Sequence, residues 1–241
     1  MSAPATAMVL AAGLGTRMRP LTDDRPKALV QVGGRALIDH MLDRLAAAGV
    51  ERAVVNVHAH GDRLLAHLAA RGGVPEIAVS DERDAPLPLE TGGGLKRARP
   101  LLGEAPVWAA NIDSVWVQRA PALPAMAAAW DPARMDTLLL LARMDRSLGF
   151  DGPGDAFLDA DGRVALRRGS GEATAPLAVA GVQITDPASA YARADDAFSL
   201  FPLWAEQAAA GRLHGVVLDG DWMHVGDPAA REAAEARLAA G

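Results

Sequence analysis

Short apolar runs alternate with longer amphipathic stretches through the first half of the chain: Ala7 to Ala12, Leu37 to Ala48, Ala53 to Val57, Leu64 to Ala70 and Ile77 to Ser80. The order reads as strand, helix, strand, helix, strand. Such alternation builds right-handed crossovers, and hence a largely parallel sheet with helices on both faces. An α/β sheet of this kind takes its ligands at the carboxyl ends of its strands, so the loops that follow strands are where functional residues are expected. Val107 to Ala110 and Thr137 to Leu141 read as two more buried strands, the second with a leucine run suited to burial on both faces.

Between Arg143 and Val182 the pattern changes to glycine and aspartate turns, with a hairpin expected from Phe157 to Val164 around Ala160, Asp161 and Gly162. This region reads as a lid or subdomain on the substrate side. After it come helical stretches near Ala188 to Ala192 and Leu200 to Ala210, a strand at Val216 to Leu218, and a terminal helix from Pro228. With 241 residues, half of them hydrophobic, the chain can bury one substantial core, and one domain over 1–241 is expected, divided into parts at 1–142 and 143–241.

The chain has no cysteine, which excludes disulfides and thiolate zinc sites. Any metal must be held by carboxylates, imidazoles, waters and substrate oxygens, a donor set that favours Mg2+. A formal net charge of −6, without long runs of one sign, argues against a nucleic-acid surface and for small-molecule partners. The first residues lack a basic region, and the apolar run after them stops at Gly13, far short of a bilayer span. A cytoplasmic enzyme, monomeric or a small homo-oligomer, is the expectation.

The most informative stretch runs from Leu10 to Thr22, Leu-Ala-Ala-Gly-Leu-Gly-Thr-Arg-Met-Arg-Pro-Leu-Thr, followed by Arg25-Pro26-Lys27-Ala28-Leu29. Gly13 and Gly15 let the backbone approach a ligand and aim N–H groups at phosphate oxygens, while Arg17 and Lys27 add positive charge. The stretch lacks Gly-Lys-Ser/Thr, so it is not a P-loop, and it lacks the third glycine and downstream acid of a dinucleotide site. A triphosphate fits it. Downstream, Leu87 to Lys96 reads as a glycine turn at Gly92 to Gly94 that opens a helix at Leu95. A third segment, Val107 to Ser114, delivers Asp113 at the carboxyl end of a buried strand, where it is a candidate metal ligand.

Together these segments resemble the signature of the sugar-nucleotide pyrophosphorylases. The resemblance implies the Rossmann-like nucleotide-diphospho-sugar transferase fold, with a mixed, mostly parallel sheet and a small β-rich region on the sugar side. It also implies an enzyme that joins an NTP to a sugar 1-phosphate and releases pyrophosphate. Gly13, Gly15, Thr16 and Arg17 would hold the triphosphate, and Lys27 would stabilise the reacting phosphate. Ala11, Ala12, Glu90, Thr91, Gly92 and Asn111 would complete the nucleotide site. Asp155 and Gly181 stand where related enzymes grip the sugar, with Glu172 as an acidic neighbour on the substrate-binding side. His58 and His60 receive no role.

Two positions depart from the family pattern. Ile112 precedes Asp113 where relatives carry glycine, and in Trp222-Met223-His224-Val225-Gly226, His224 stands where a second metal-binding aspartate is expected. Imidazole suits manganese or another softer divalent ion better than magnesium. Three arrangements follow: His224 binds the ion directly, it orients a metal-bound water or a phosphate, or Asp221 or Asp227 supplies the missing carboxylate. Within the family, the compact length and the Leu89 to Gly94 loop are most similar to N-acetylmuramate 1-phosphate uridylyltransferases of peptidoglycan recycling, which implies UTP and N-acetylmuramate 1-phosphate. Mannose or heptose 1-phosphate guanylyltransferases and glucose 1-phosphate thymidylyl- or uridylyltransferases share the opening motif. A catalytically inactive nucleotide-binding regulatory protein is the alternative of another class.

Overall fold

The computed structural model describes residues 3 to 240. Strand β1 (Thr6–Leu10) enters the glycine loop, and a short hairpin of β2 (Gln31–Val32) and β3 (Arg35–Ala36) leads into helix α1 (Leu37–Ala47). Strand β4 (Arg52–Val57), helix α2 (Gly61–Ala70) and strand β5 (Glu76–Asp81) form the next crossover. Helices α3 (Glu90–Arg97) and α4 (Arg99–Leu102) return the chain to β6 (Val107–Asn111). The order β6-β1-β4-β5 is parallel throughout. Leu10 lies opposite Asn111 and Val9 opposite Val55, so β1, β4 and β6 end along one edge.

The apolar periodicity explains why these elements hold. On α1 the buried positions Leu37, Ile38, Met41, Leu42 and Leu45 recur every three or four residues and face the sheet. Each such side chain contributes about 1.5–3 kcal/mol relative to an exposed one. Strand β1 buries Ala7, Met8 and Val9 completely, as a strand covered on both faces must.

The second half begins with β7 (Ser114–Gln118), α5 (Ala122–Ala129), β8 (Thr137–Arg143) and the short β9 (Ser147–Leu148). The expected hairpin is present as β10 (Ala156–Leu158) and β11 (Val164–Leu166). Strand β12 (Leu177–Thr185) then lies antiparallel between β6 and β8. Helices α6 (Ala188–Tyr191) and α7 (Phe201–Ala209), strands β13 (Leu213–Val217) and β14 (Gly220–His224), and helix α8 (Pro228–Ala239) complete the chain. The main sheet has nine strands and is mixed, because β12 reverses direction beside β6. No helix among the described residues is long and apolar enough to cross a membrane.

A separate three-stranded sheet, β7-β14-β9, pairs His224 with Ser114 and Trp222 with Trp116. One hydroxyl anchors it. Ser114 Oγ donates to the Ala180 carbonyl at 2.5 Å and accepts from the Trp222 indole N–H at 2.7 Å. The sequence pattern does not announce β7 or β14, since both are short and their partners lie about a hundred residues apart.

The expected glycine turn is corrected: Gly92, Gly93 and Gly94 lie inside α3, which begins at Glu90. The glycines serve close packing. A Cβ at Gly92 would collide with the Phe198 ring, one at Gly93 with the Asp196 carbonyl oxygen, and one at Gly94 would sit 2.9 Å from Asn56 Nδ2. Gly92 and Gly93 also donate their N–H groups to the Phe198 carbonyl at 2.8 and 3.1 Å. The strand expected at Val216 to Leu218 begins earlier, at Leu213, because Leu213 to Val217 form the ladder with β8. Gly93→Ala is expected to cost about 1–3 kcal/mol or more, since the obstacle is backbone rather than a movable side chain, and urea denaturation measures it.

Candidate active site

At the shared edge of β1, β4 and β6 lies a cleft of about 330 Å³. Its walls bring together Ala11, Ala12, Gly13, Gly15, Thr16, Arg17 and Lys27 from the first motif with Glu90, Thr91, Asn111 and Asp113. Gly15 takes a left-handed φ of 64° and turns the loop into a short 3-10 segment at Thr16–Met18. Its carbonyl accepts from Thr22 Oγ1 at 2.8 Å, which ties the far end of the loop back to its start. Glu90 also has a positive φ, 62°, an uncommon conformation for a side-chain-bearing residue and one that clusters at binding sites.

Two cleft residues escaped the sequence reading, Asn56 and Glu82. Asn56 Oδ1 accepts from the backbone N–H groups of Ala11 at 2.6 Å and Ala12 at 3.2 Å, while its Nδ2 donates to Glu82 Oε1 at 2.8 Å. Both side chains are buried, Glu82 completely. The Glu82 carboxylate orients the Asn56 amide, and the amide fixes the first peptides of the glycine loop. Their signals were present but quiet: a polar residue inside the apolar Ala53 to Val57 run, and a carboxylate directly after the strand at Ile77 to Ser80.

Across the cleft, Lys27 Nζ donates to Asp113 Oδ2 at 2.7 Å, with side chains 11% and 21% exposed. Burial pushes the Asp113 carboxyl up, but the Lys27 ammonium and His224 pull it back, and the net result lies below its ordinary value. His224 is carried to the same place by the β14–β7 register, and the Val225 N–H donates to the Asp113 carbonyl at 2.8 Å. Burial holds the His224 imidazole below its ordinary pKa, helped by Lys27 and Arg17 and opposed by Asp113 and Asp227. Arg17 closes the group: a Cβ on Gly226 would lie 2.9 Å from His224 Nε2 and 3.6 Å from an Arg17 Nη atom.

These residues can be tested against a divalent cation by their donor chemistry. Asp113 commits Oδ2 to Lys27, and His224, held below its ordinary pKa, adds one nitrogen donor. Among the described residues no cluster of three His, Asp or Glu could hold an ion by itself. That set fits an ion that fills its shell with waters and phosphate oxygens. The alternative carboxylates are spent elsewhere. Asp221 is engaged by Arg237 at 2.7 Å and Arg146 at 3.4 Å, and Asp227 caps α8 by accepting from the Ala230 N–H at 2.8 Å.

Asn111, Asp155 and Gly181 line a second cavity of about 210 Å³, which shares Asn111 with the first. Asp155 Oδ2 accepts from the Val179 N–H at 2.9 Å, and Gly181, at φ 72°, sits where the β12–β8 register shifts. Two expected site residues are not brought here. Glu172 is exposed on the loop after β11 and lines neither cavity, with its N–H donating to Ser170 Oγ. Gly92 lies beneath Phe198 with its N–H already used, and it does not line the cleft.

Solved structures share this architecture. HddC from Yersinia pseudotuberculosis superposes with a TM-score of 0.75 at 19% identity, covering 99% of this chain and all of that one. The UTP-bound UGPase from Acinetobacter baumannii gives 0.74 at 16% identity, covering 97% of this chain and 92% of its own. The fold is that of the nucleotide-diphospho-sugar transferases. Residues 6–121 match the family model "Nucleotidyl transferase". The N-acetylmuramate alpha-1-phosphate uridylyltransferase of Caulobacter vibrioides is 60% identical over 241 residues, 98% of each chain. The enzyme of the same name from Neisseria meningitidis serogroup B is 42% identical over 107 residues, 44% of this chain and 46% of that one. This chain therefore belongs to the nucleotidyl transferase family, enzymes that transfer a nucleotidyl group to a sugar 1-phosphate.

Asn56→Ala is expected to leave the Ala11 and Ala12 N–H groups and the Glu82 carboxylate without their partner, costing about 1–3 kcal/mol. The same variant should raise KM for the nucleotide more than it lowers stability-corrected kcat. Thermal unfolding and steady-state kinetics on one preparation check both.

Proposed function

We propose that the chain transfers the uridylyl group of UTP to N-acetylmuramate 1-phosphate, giving UDP-N-acetylmuramate and pyrophosphate. The observation that carries this reading is the 60% identity over 98% of both chains with the Caulobacter vibrioides enzyme, a match that spans the nucleotide and sugar sides alike.

The chemistry needs no protein nucleophile. A phosphate oxygen of the sugar 1-phosphate, already ionised at neutral pH, attacks the α-phosphorus of UTP in line. The new P–O bond forms as the anhydride bond to the β-phosphate breaks, and pyrophosphate leaves with that electron pair. Backbone N–H groups of the loop at Gly13 to Thr16 hold the triphosphate, while Arg17 and Lys27 offset negative charge as it moves toward the leaving group. Holding two anions in near-attack geometry between the 330 Å³ and 210 Å³ cavities supplies the rest. Asn111, which lines both, stands at the junction where the two substrates meet. Asp113 and His224 would hold a divalent cation, Mg2+ or Mn2+, which supplies charge neutralisation on the phosphates when bound.

Pyrophosphate release from UTP, GTP, CTP and dTTP, each paired with N-acetylmuramate, mannose, glucose and heptose 1-phosphates, tests the assignment. Turnover should be fastest with UTP and the muramate phosphate, well above every other pair. A different fastest pair would replace the substrates, and silence throughout would favour a binding-only protein. Asp113→Asn should lower kcat by about 100-fold or more while thermal unfolding shows a folded protein; near-normal turnover would remove Asp113 from the mechanism. His224→Asp should raise the ratio of magnesium- to manganese-supported activity, because a carboxylate is the harder donor. An unchanged ratio would place His224 outside the cation site.

A further inference from the structure

Gln183, on β12, is 97% buried and has a side-chain amide with only one end satisfied. Its Oε1 accepts from the Trp204 indole N–H of α7 at 2.9 Å. An indole N–H can only donate, so the oxygen must face Trp204 and the amide orientation is settled. Nε2 is then the remaining end, and it is buried with no hydrogen-bond partner. Buried donors in native proteins are nearly always paired, and an exception calls for an explanation such as a ligand.

The surroundings indicate which ligand. Gln183 lines a narrow cavity of about 30 Å³ whose walls are mostly aliphatic, Leu10, Ala109 and Leu200 among them, with Thr91 and Asn111 as further polar residues. It has room for one small substituent and none for a sugar ring. Asn111, Val179, Gly181 and Trp204 line both this cavity and the 210 Å³ sugar-side cavity. A ring held in the larger space can therefore send a substituent into the smaller one. An amide donor beside apolar walls matches an acyl group, with the carbonyl oxygen accepting from Nε2 and the methyl against the aliphatic side chains. A free amine would set donor against donor, and a bare hydroxyl would leave the apolar walls unfilled.

We infer that Gln183, held by Trp204, is the residue by which this enzyme selects an N-acylated sugar 1-phosphate over its unacylated counterparts. The inference rests on the proposed sugar 1-phosphate reading and adds the residue that discriminates. Trp204 is a positioning residue, since it acts through Gln183.

The test measures kcat and KM with UTP against N-acetylmuramate, N-acetylglucosamine, glucosamine and glucose 1-phosphates for wild type, Gln183→Glu, Gln183→Met and Trp204→Phe. Gln183→Glu keeps an acceptor for Trp204 and exchanges the amide donor for an acid, whose O–H can still donate when burial keeps it neutral; Gln183→Met keeps the length, removes donor and acceptor alike, and is the deciding variant. UTP binding by calorimetry shows that each variant is folded. KM for the acylated substrates should rise about tenfold or more in Gln183→Met and by less in Gln183→Glu, while kcat/KM for the unacylated ones changes little, so that the preference collapses. Trp204→Phe should lose part of the preference by releasing the amide. A folded, UTP-binding Gln183→Met variant with the wild-type preference would overturn the inference and leave the uridylyl-transfer reading standing. A wild-type enzyme with no preference for acylated sugars would overturn both. Should the variants not fold, the wild-type Trp204 indole N–H signal decides by NMR: it should shift with N-acetylglucosamine 1-phosphate and not with glucose 1-phosphate, and equal response to both overturns the inference.

Discussion

The site depends on three parallel strands ending together. With Leu10 opposite Asn111 and Val9 opposite Val55, the peptides that follow β1, β4 and β6 emerge along one edge of the sheet. Backbone N–H groups just beyond β1 have left the ladder and need acceptors. Asn56 supplies one at Ala11 and Ala12, and Glu82 holds Asn56 in turn. The loop is thereby shaped by the protein's own side chains, so on the proposed function its N–H groups would meet a phosphate without an ordering cost at binding. The closeness of α3 belongs to the same arrangement, because any side chain at Gly94 would press on Asn56 and Glu82.

Charge is arranged as carefully as backbone. Lys27 and Asp113 are each poorly exposed, and alone either would be costly to bury; at 2.7 Å each compensates the other. On the proposed function a triphosphate would give Lys27 a second anion to serve, and a cation would give Asp113 a second partner, so the pair would be a resting arrangement suited to exchange. Burial, with Lys27 and Arg17 beside it, holds the His224 imidazole below its ordinary pKa, which disfavours a third positive charge in this group.

A single serine links the two sides of the cleft. Ser114 follows Asp113 in the chain, accepts from Trp222 two residues before His224, and donates to Ala180 beside Gly181. The positions of the carboxylate, the imidazole and the sugar-side bulge are therefore not independent. A shift of β14 by one residue would turn His224 to the opposite face, since side chains alternate along a strand.

Much of this was legible in the chain itself. The strand and helix alternation, the glycine loop with Arg17 and Lys27, and Asp113 at a strand end are local patterns, and local patterns survive in a one-dimensional reading because periodicity and turn chemistry act over a few residues. The glycine run was legible as special but not as helical, because what it makes room for, Phe198 and Asp196, lies about a hundred residues away. Glu172 and Gly92 line neither cavity for the same reason: motif position says nothing about which side of a loop faces a cavity.

By itself, then, the sequence determined the fold class and the sheet edge that carries the glycine loop, since both follow from spacing along the backbone. Only the tertiary structure decided that His224 joins Asp113, that Asn56 and Glu82 brace the loop, and that Gln183 is buried with one end of its amide unmet. Those are contacts between distant segments, and their geometry comes from strand register and side-chain packing, which no short stretch of chain encodes alone.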